Sequence, residues 1–482
     1  METGLLAYGA YLPVRRLQRA AVAQTHAWFN PGLKGLGKGE RTIANWDEDS
    51  VTMAVEAARN CLSGQDRDAL DAVWLASTSL PFKDRLNAGI VGDALCVKSS
   101  AMALDVASSQ RAGTSALIAA LKNGGQSLVV ASERRAAKAG SPQEMTYGDG
   151  ATALMVGTGD VVAKLIGSHS ESVDFVDHYR GEDAEFDYAW EERWVRDEGH
   201  LKITPHAIKA LLEDTGVDAA SIAKFCYPAA GRNVTAMVAK AAGLPVESVA
   251  DNLQSNVGET GAAHPLLMLA QALEGAKPGD RILVASFGQG CDALLFETTD
   301  AITKRPAKSI ATQIERGRAD DNYARFMTLN GLVNVEHGIR AELDKATALS
   351  NLWRNKDMTQ RMMGGHCTEC GTNQFPKARI CVNPECGAVD TQRDEGFADK
   401  IGKLNSFTAD RLTYSPDPPA YYGMVQFESG GRLMCDFTDI DAASPPEVGM
   451  AMRMVFRVKD YDTKRGFRRY FWKALPATQE EI

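Results

Sequence analysis

Four cysteines and one glutamine are the residues whose type and spacing first point to chemistry. Cys367-Thr368-Glu369-Cys370 and Cys381-Val382-Asn383-Pro384-Glu385-Cys386 form two close pairs, separated by ten residues that include Phe375-Pro376. Each pair on a turn presents two thiolates, and two such knuckles meet the tetrahedral demand of one zinc ion. With four cysteine ligands the site is closed and structural, leaving no position for a water, so no catalysis is assigned to the metal. The glutamine lies in Ser108-Ser109-Gln110-Arg111-Ala112-Gly113-Thr114-Ser115-Ala116-Leu117. This stretch stands between an apolar run ending Ala103-Leu104-Asp105-Val106-Ala107 and a helical pattern that continues to Gly124-Gly125. A small-residue turn between a buried strand and a buried helix sets a side chain at a helix N-terminus. Free N–H groups and the helix dipole favour developing negative charge there, which is where an enzyme would hold a nucleophile.

The elements that must position these groups are strands alternating with helices. Leu5 to Leu12 is a strand and Ser50 to Leu62 has helical spacing; Ala72 to Ser77, Ser127 to Ser132 and Ala151 to Val156 read as buried strands. The order then recurs. Val161 to Ile166 answers the first strand, Ile203 to Leu212 the first helix, and Ala223 to Tyr227 answers Ala72 to Ser77. His264 to Leu273 is a further helix, while Arg281 to Ser286 and Asp292 to Phe296 match the last two strands of the first round. A repeat of this length implies a duplicated α/β core, two sheets packed through shared central helices. Residues 300–365 turn charged and helical, with Tyr323, Phe326, Met327, Trp353, Met362 and Met363 enough to pack back on a core or on an acyl chain. After the cysteine pairs, five short strands (402–412, 420–427, 432–437, 450–459 and 467–472) suit a small barrel of the oligonucleotide-binding type.

The glutamine turn resembles the nucleophile turn of the thiolase superfamily, closest to the 3-hydroxy-3-methylglutaryl-CoA synthase branch, whose members read Ala-Cys-x-Ala-Gly-Thr or similar. Gln110 stands at the position of the family's cysteine, so the acyl-accepting thiol is expected to be absent. The resemblance implies a thiolase-like αβαβα core in two halves, 1–165 and 166–299, then a helical linker over 300–365. It also implies that a zinc ribbon (366–390) with an OB-like barrel (391–482) is a fused form of the accessory subunit that accompanies such acyl-CoA enzymes. By the same resemblance, Ser286-Phe287-Gly288-Gln289-Gly290 is the glycine-rich loop whose Gly288 N–H meets the thioester oxygen. Cys226 takes the place of the catalytic histidine in a motif running on through Pro228 to Arg232, and Arg232 is assigned to binding the coenzyme A part of the substrate. Glu259 replaces the asparagine of Gly-Asn-Thr, and Thr78 replaces the general-base glutamate of Ser-Glu-Ser.

Glu259 and His264 are then the acid–base candidates. Glu259 would serve as a base if a dry pocket raises its pKa, and His264 would polarise a carbonyl or cap the helix beginning at Pro265. Gln110 cannot carry an acyl group, yet its carboxamide can donate a hydrogen bond to an enolate or thioester oxygen. The resulting expectation is a cysteine-independent enzyme that cleaves a carbon–carbon bond in a bulky, aromatic or alicyclic 3-oxo- or 3-hydroxyacyl-CoA of a catabolic pathway, releasing acetyl-CoA. Its rivals are an acyltransferase of thiolase or synthase type acylated on Cys291, Cys96 or Cys226, and a silent acyl-CoA-binding scaffold.

Composition bounds the partners. The chain of 482 residues is 44% hydrophobic and 24% charged, with a formal net charge of −9, so neither nucleic acid nor an anionic membrane is an expected partner. The basic, aromatic run Lys464 to Trp472 is not read against that balance. The N-terminal residues carry no signal-peptide pattern, and a cytoplasmic location follows by default. Nine cysteines with four clustered argue for metal binding plus free thiols rather than disulfides. A homodimer is implied by the resemblance alone.

Overall fold

The computed structural model describes every residue except Met1, Arg232, Arg305, Ala307, Lys308, Gln479, Glu480 and Ile482. The chain divides into two compact units. The first comprises Met1–Ala44, Asp49–Gly92 and Val97–Met327; the second comprises Thr328–Ile482 together with the short segments Asn45–Glu48 and Asp93–Cys96.

In the first unit nine strands follow one another in the order Ile222–Cys226, Arg281–Phe287, Gly290–Thr298, Ala163–Ser172, Thr3–Tyr11, Gly150–Thr158, Ser127–Glu133, Ala72–Ala76, Met102–Val106. The duplication is written in the pairing. Ala72–Ala76 lies parallel to Ser127–Glu133, which runs antiparallel to Gly150–Thr158. Ile222–Cys226 likewise lies parallel to Arg281–Phe287, which runs antiparallel to Gly290–Thr298. The two half-sheets are also joined at one edge, through Gly4↔Lys164 and Leu5↔Ala163, so that their strands form one continuous order.

Two helices, Ala112–Asn123 and His264–Gly275, share one core with strands of both halves. Leu117, Ala120, Leu266, Leu269 and Leu273 pack with Val129, Leu154, Ile282 and Leu294. Each buried leucine contributes roughly 1.5–3 kcal/mol by leaving water. Their apolar residues are buried all round, as helices enclosed by protein must be.

The second unit holds the cysteine pairs on a three-stranded sheet, ordered Asn373–Gln374, Met363–Cys367, Gln392–Gly396. Beyond it stands a five-stranded sheet, ordered Arg432–Asp436, Ala420–Phe427, Gly402–Asp410, Ala451–Asp462, Phe467–Pro476. Tyr470, Trp472 and Ala474 alternate inward along the last strand and are buried, so two aromatics of the basic run are barrel core, while Phe467 and Phe471 are half-buried. The stretch 300–365, which ends the first unit and begins the second, is less regular than the expected helices. It forms only short pieces, such as Ile310–Glu315, Tyr323–Leu329, Leu349–Arg354 and Lys356–Thr359. Tyr323, Phe326 and Met362 are buried, but Trp353 is 70% exposed. No helix among the described residues is long and apolar enough to cross a membrane.

Candidate active site

The turn that follows the Met102–Val106 strand is tight. Ser108 adopts a φ of +73°, a conformation that non-glycine residues hold only where the surroundings enforce it. The enforcement comes from the second half of the core. Ser109 Oγ donates to the Gly288 carbonyl at 2.9 Å, and Arg111 Nε donates to the same oxygen at 3.0 Å. Arg111 also pairs with the buried Asp292 at 2.8 Å, whose other oxygen accepts from Thr114 and Ser115. The loop approaches so closely that a Cβ on Gly288 would stand 2.8 Å from Ser109 Oγ and 3.2 Å from the Gln110 nitrogen. Gly288 is thus part of the site, but its N–H donates to the Gly290 carbonyl at 3.0 Å. That corrects its expected role: the loop's own turn engages the N–H, and Gly288 acts here by close approach.

Over this turn sits a hairpin, His178–Tyr179 paired with Tyr188–Ala189, which the alternation of the sequence did not disclose. Arg180 holds Asp187 at 3.0 Å across it and reaches the Thr78 carbonyl, while Tyr147 donates to Asp187 at 3.0 Å. The hairpin delivers His178. Its Nδ1 lies 2.7 Å from an Asp177 carboxylate oxygen, and its Nε2 lies 3.4 Å from Gln110 Nε2. Gln289 steadies the other Asp177 oxygen at 3.4 Å. The carboxylate fixes the hydrogen on Nδ1, which leaves the Nε2 lone pair toward the Gln110 amide and the site. Burial alone would lower the His178 pKa, but the hydrogen bond and charge of Asp177 outweigh it and raise the value. Asp177 and His178 are the functional candidates that sequence reasoning missed; an adjacent Asp-His pair is the one signal the sequence offered.

Three further groups converge at Gly261. Glu259 pairs with Arg135 and accepts the Gly261 N–H at 2.7 Å. Burial acts to raise the Glu259 pKa, yet Arg135 prevails and holds it below the ordinary carboxylate value. The expected dry-pocket base is therefore a fixed carboxylate counter-ion. Glu259→Gln is expected to lower stability by about 1.5–3 kcal/mol, because it removes the charge-assisted partner of Arg135 while Glu133 and Asp187 still face that charge; a denaturant titration would read this. Glu133, fully buried at the end of its strand, accepts from the Thr78 N–H at 2.7 Å, Thr78 Oγ1 at 3.0 Å and Ser79 Oγ at 2.6 Å. Burial raises its pKa against the opposing pull of Arg135 and these donors. A carboxylate thus stands beside Thr78, supplied from another strand.

Gly261, at φ +54°, lies under all of them: a Cβ there would meet Gln110 Oε1 and Glu133 Cγ at 2.9 Å and Arg135 Nε at 3.2 Å. Gly261→Ala is expected to cost about 1–2 kcal/mol in backbone strain alone and to push the Gln110 amide away from His178. Thermal unfolding and the crystal structure of the variant would check both.

The remaining candidates fall elsewhere. His264 is buried, its Nδ1 accepts the Thr260 N–H at 2.9 Å and its Nε2 lies 2.8 Å from the Asn252 carbonyl, so both ring nitrogens are engaged by backbone. It fastens a helix start and presents no nitrogen to a substrate. Cys226 is a core residue whose thiol burial pushes up to about 12; Cys291 is held the same way, also at about 12. Arg232 lies outside the described residues. In the second unit Cys367, Cys370, Cys381 and Cys386 gather with all sulfurs within 4.8 Å of one another. The Cys370–Cys381 and Cys367–Cys386 separations are 3.6 and 3.9 Å. Tetrahedral bonds of about 2.3 Å place sulfurs about 3.8 Å apart, so the donor set fits one zinc.

Comparison with known proteins decides the family. Hydroxymethylglutaryl-CoA synthase of Aeropyrum pernix is 32% identical over 348 residues, covering 69% of this chain and 96% of the relative. The chain belongs to the hydroxymethylglutaryl-CoA synthase family. The synthase of Pyrobaculum arsenaticum is 27% identical over 350 residues, covering 70% and 99%. Residues 212–296 match the family described as 3-oxoacyl-acyl-carrier-protein synthase III C terminal, and residues 397–457 match the C-terminal OB-fold domain of ChsH2. Among solved structures, an HMG-CoA synthase complexed with CoA superposes with a TM-score of 0.60 at 18% identity, covering 72% of this chain and 95% of that one. A 3-oxoacyl-acyl-carrier-protein synthase III from Aquifex aeolicus gives 0.54 at 21%, covering 61% and 99%; at these identities both likenesses speak for the fold. Gln110 and Glu259 thus meet at Gly261, Thr78 joins them through Glu133, and Cys226 sits apart in the core.

Proposed function

We propose that this protein is a cysteine-independent carbon–carbon bond-cleaving enzyme acting on 3-hydroxyacyl- or 3-oxoacyl-CoA. The row Asp177, His178, Gln110 carries the reading. It sets an oriented base beside a carboxamide donor at a helix N-terminus. The buried, weakly acidic thiols of Cys226 and Cys291 also support it, since a thiol held near 12 supplies almost no nucleophilic thiolate at neutral pH. With a 3-hydroxy substrate, His178 Nε2 takes the hydroxyl proton. The C2–C3 bond breaks, C3 becomes a carbonyl, and the electron pair moves onto the thioester oxygen as an enolate. Gln110 donates to that oxygen and the helix dipole favours its charge. His178 then returns the proton to C2, giving acetyl-CoA. With a 3-oxo substrate the same base takes a proton from water as the water adds to C3, and the bond breaks to a carboxylic acid and the same enolate. His178 replaces Glu259 and His264 as the base, and Glu259 keeps Arg135 in place.

We further propose that zinc occupies the four cysteines as a structural ion and that coenzyme A enters only as part of the substrate. The test of the reaction is mass spectrometry of products from a panel of 3-oxo- and 3-hydroxyacyl-CoAs, with and without added free CoA. Acetyl-CoA formed without free CoA supports the reading. Strict dependence on free CoA, or an acyl adduct on a cysteine, overturns it in favour of acyl transfer.

A further inference from the structure

The segment that delivers His178 also builds a cleft that the chemistry does not use. It has a volume of about 250 Å³ and is lined by Val176, His178, Tyr179, Tyr188, Trp190 and Trp194. Three of its rings are more than half exposed: Tyr179 at 56%, Tyr188 at 55% and Trp190 at 57%. Aromatic surface gathered in one place and left open is the mark of a binding surface.

The walls are held in place. Tyr179 and Tyr188 face each other across the hairpin with ring centroids 5.5 Å apart, and the Trp190 backbone N–H donates to the Asp177 backbone carbonyl at 2.9 Å. Trp194 stacks on Phe175 at 4.2 Å, and Phe175 meets the edge of Phe287, the residue before Gly288, at 5.9 Å. Trp194 leads into a π-helical turn, Val195–Ile203, a rare geometry that concentrates at functional sites. The cleft is therefore tied to the catalytic turn at both ends, through Asp177 and through Phe287.

We infer that this cleft is the subsite for the substituent on C3 of the substrate, and that it selects a flat aromatic group of about two fused rings. The inference rests on the reading of His178 as the base. With the C3 oxygen at Nε2, the substituent on C3 has the cleft beside it. Size and chemistry set the class of group. An apolar cavity of about 150 Å³ holds one benzene ring, so this cleft takes a larger one. Its lining apart from His178 is apolar or aromatic, which suits stacking against a neutral ring.

The test separates binding from turnover by using thioesters with no oxygen on C3, which cannot be cleaved. Affinities of 3-(2-naphthyl)propanoyl-CoA and butanoyl-CoA would be measured by calorimetry with the full-length protein, for the wild type, Trp190→Ala, Trp190→Phe and Tyr188→Ala. The naphthyl ester is expected to bind at least about tenfold tighter than butanoyl-CoA. Trp190→Ala and Tyr188→Ala should erase that margin, leaving butanoyl-CoA binding unchanged, and Trp190→Phe should keep most of it. Equal wild-type affinities, or variants that weaken both esters alike, would overturn the subsite. So would a wild-type dimer that Trp190→Ala converts to monomer, since a second copy would then be what covers the rings. Preference for naphthyl without cleavage of 3-hydroxy substrates would leave the subsite standing and remove the reaction; cleavage without preference would do the reverse.

Discussion

His178→Ala is expected to lower kcat/KM for carbon–carbon cleavage by about 10²–10⁴-fold, the range that a positioned general base contributes, with binding of uncleavable acyl-CoAs retained. The pH profile tells more than the rate. The base must be neutral to take a proton, so activity should rise with pH through the His178 pKa, which lies above its ordinary 6.5. Burial and the Arg135 charge pull that value down, while Asp177 and the charge of Asp187 hold it up. Asp177→Asn removes the main support, so the acid limb should move to lower pH. The maximum rate should fall as well, because an asparagine no longer fixes the hydrogen on Nδ1. A limb that stays in place in Asp177→Asn, or near-wild-type turnover in His178→Ala, would dismiss this base.

The same interaction has a stability counterpart of opposite sense. A histidine whose folded pKa is raised stabilises the fold when charged. That contribution is complete below about 6.5 and disappears as pH rises through the folded value. The site is thus most stable where it is least active. Denaturant titrations of the wild type and His178→Ala across this window should converge as pH rises.

What the sequence disclosed follows from which physical signals are local. Buried strands are continuous apolar runs, so Ala72 to Ser77, Ser127 to Ser132 and Arg281 to Ser286 could be read directly, and their recurrence exposed the duplication. The cysteine pairs carry their geometry in their spacing. The Gln110 turn was legible because a small-residue stretch joined an apolar strand to a helical pattern. His178 was not, because its hairpin has strands of two residues each, too short for any alternation to register. His264 and His178 show the limit plainly. Each is a histidine beside a turn, and what separates them is whether backbone groups occupy both ring nitrogens, which only the folded chain decides. Glu133 escaped notice for a related reason. It ends a strand that was read for its apolar residues, and its meaning depends on Thr78, brought beside it from 55 positions away.

Cys370→Ser is expected to abolish stable zinc binding and to unfold the three-stranded ribbon, while the unfolding transition of the first unit stays where it is. The reason is how little else holds that sheet. Its ladders run through two pairs on one side, Gly365↔Gln374 and His366↔Asn373, and five on the other. Its own large apolar contacts are few: Phe375 packs against Phe397, and Phe397 in turn meets Phe427 of the five-stranded sheet. A unit that small does not bury enough apolar surface to offset the entropy of ordering its loops. Structural zinc in comparable sites supplies about 10–16 kcal/mol of apparent binding energy at neutral pH, far above what two short ladders provide. Elemental analysis should therefore find one zinc per wild-type chain and none in Cys370→Ser. Differential scanning calorimetry should show the loss confined to one transition, and a strong chelator should reproduce it in the wild type. A wild-type chain free of metal, or one whose transitions ignore the chelator, would mean that the thiols hold the ribbon without an ion. Because four thiolates leave the metal no open position, added zinc should restore the fold of chelated protein without lowering the pKa of any catalytic water, so the acid limb of the activity profile should return unchanged and remain a property of His178.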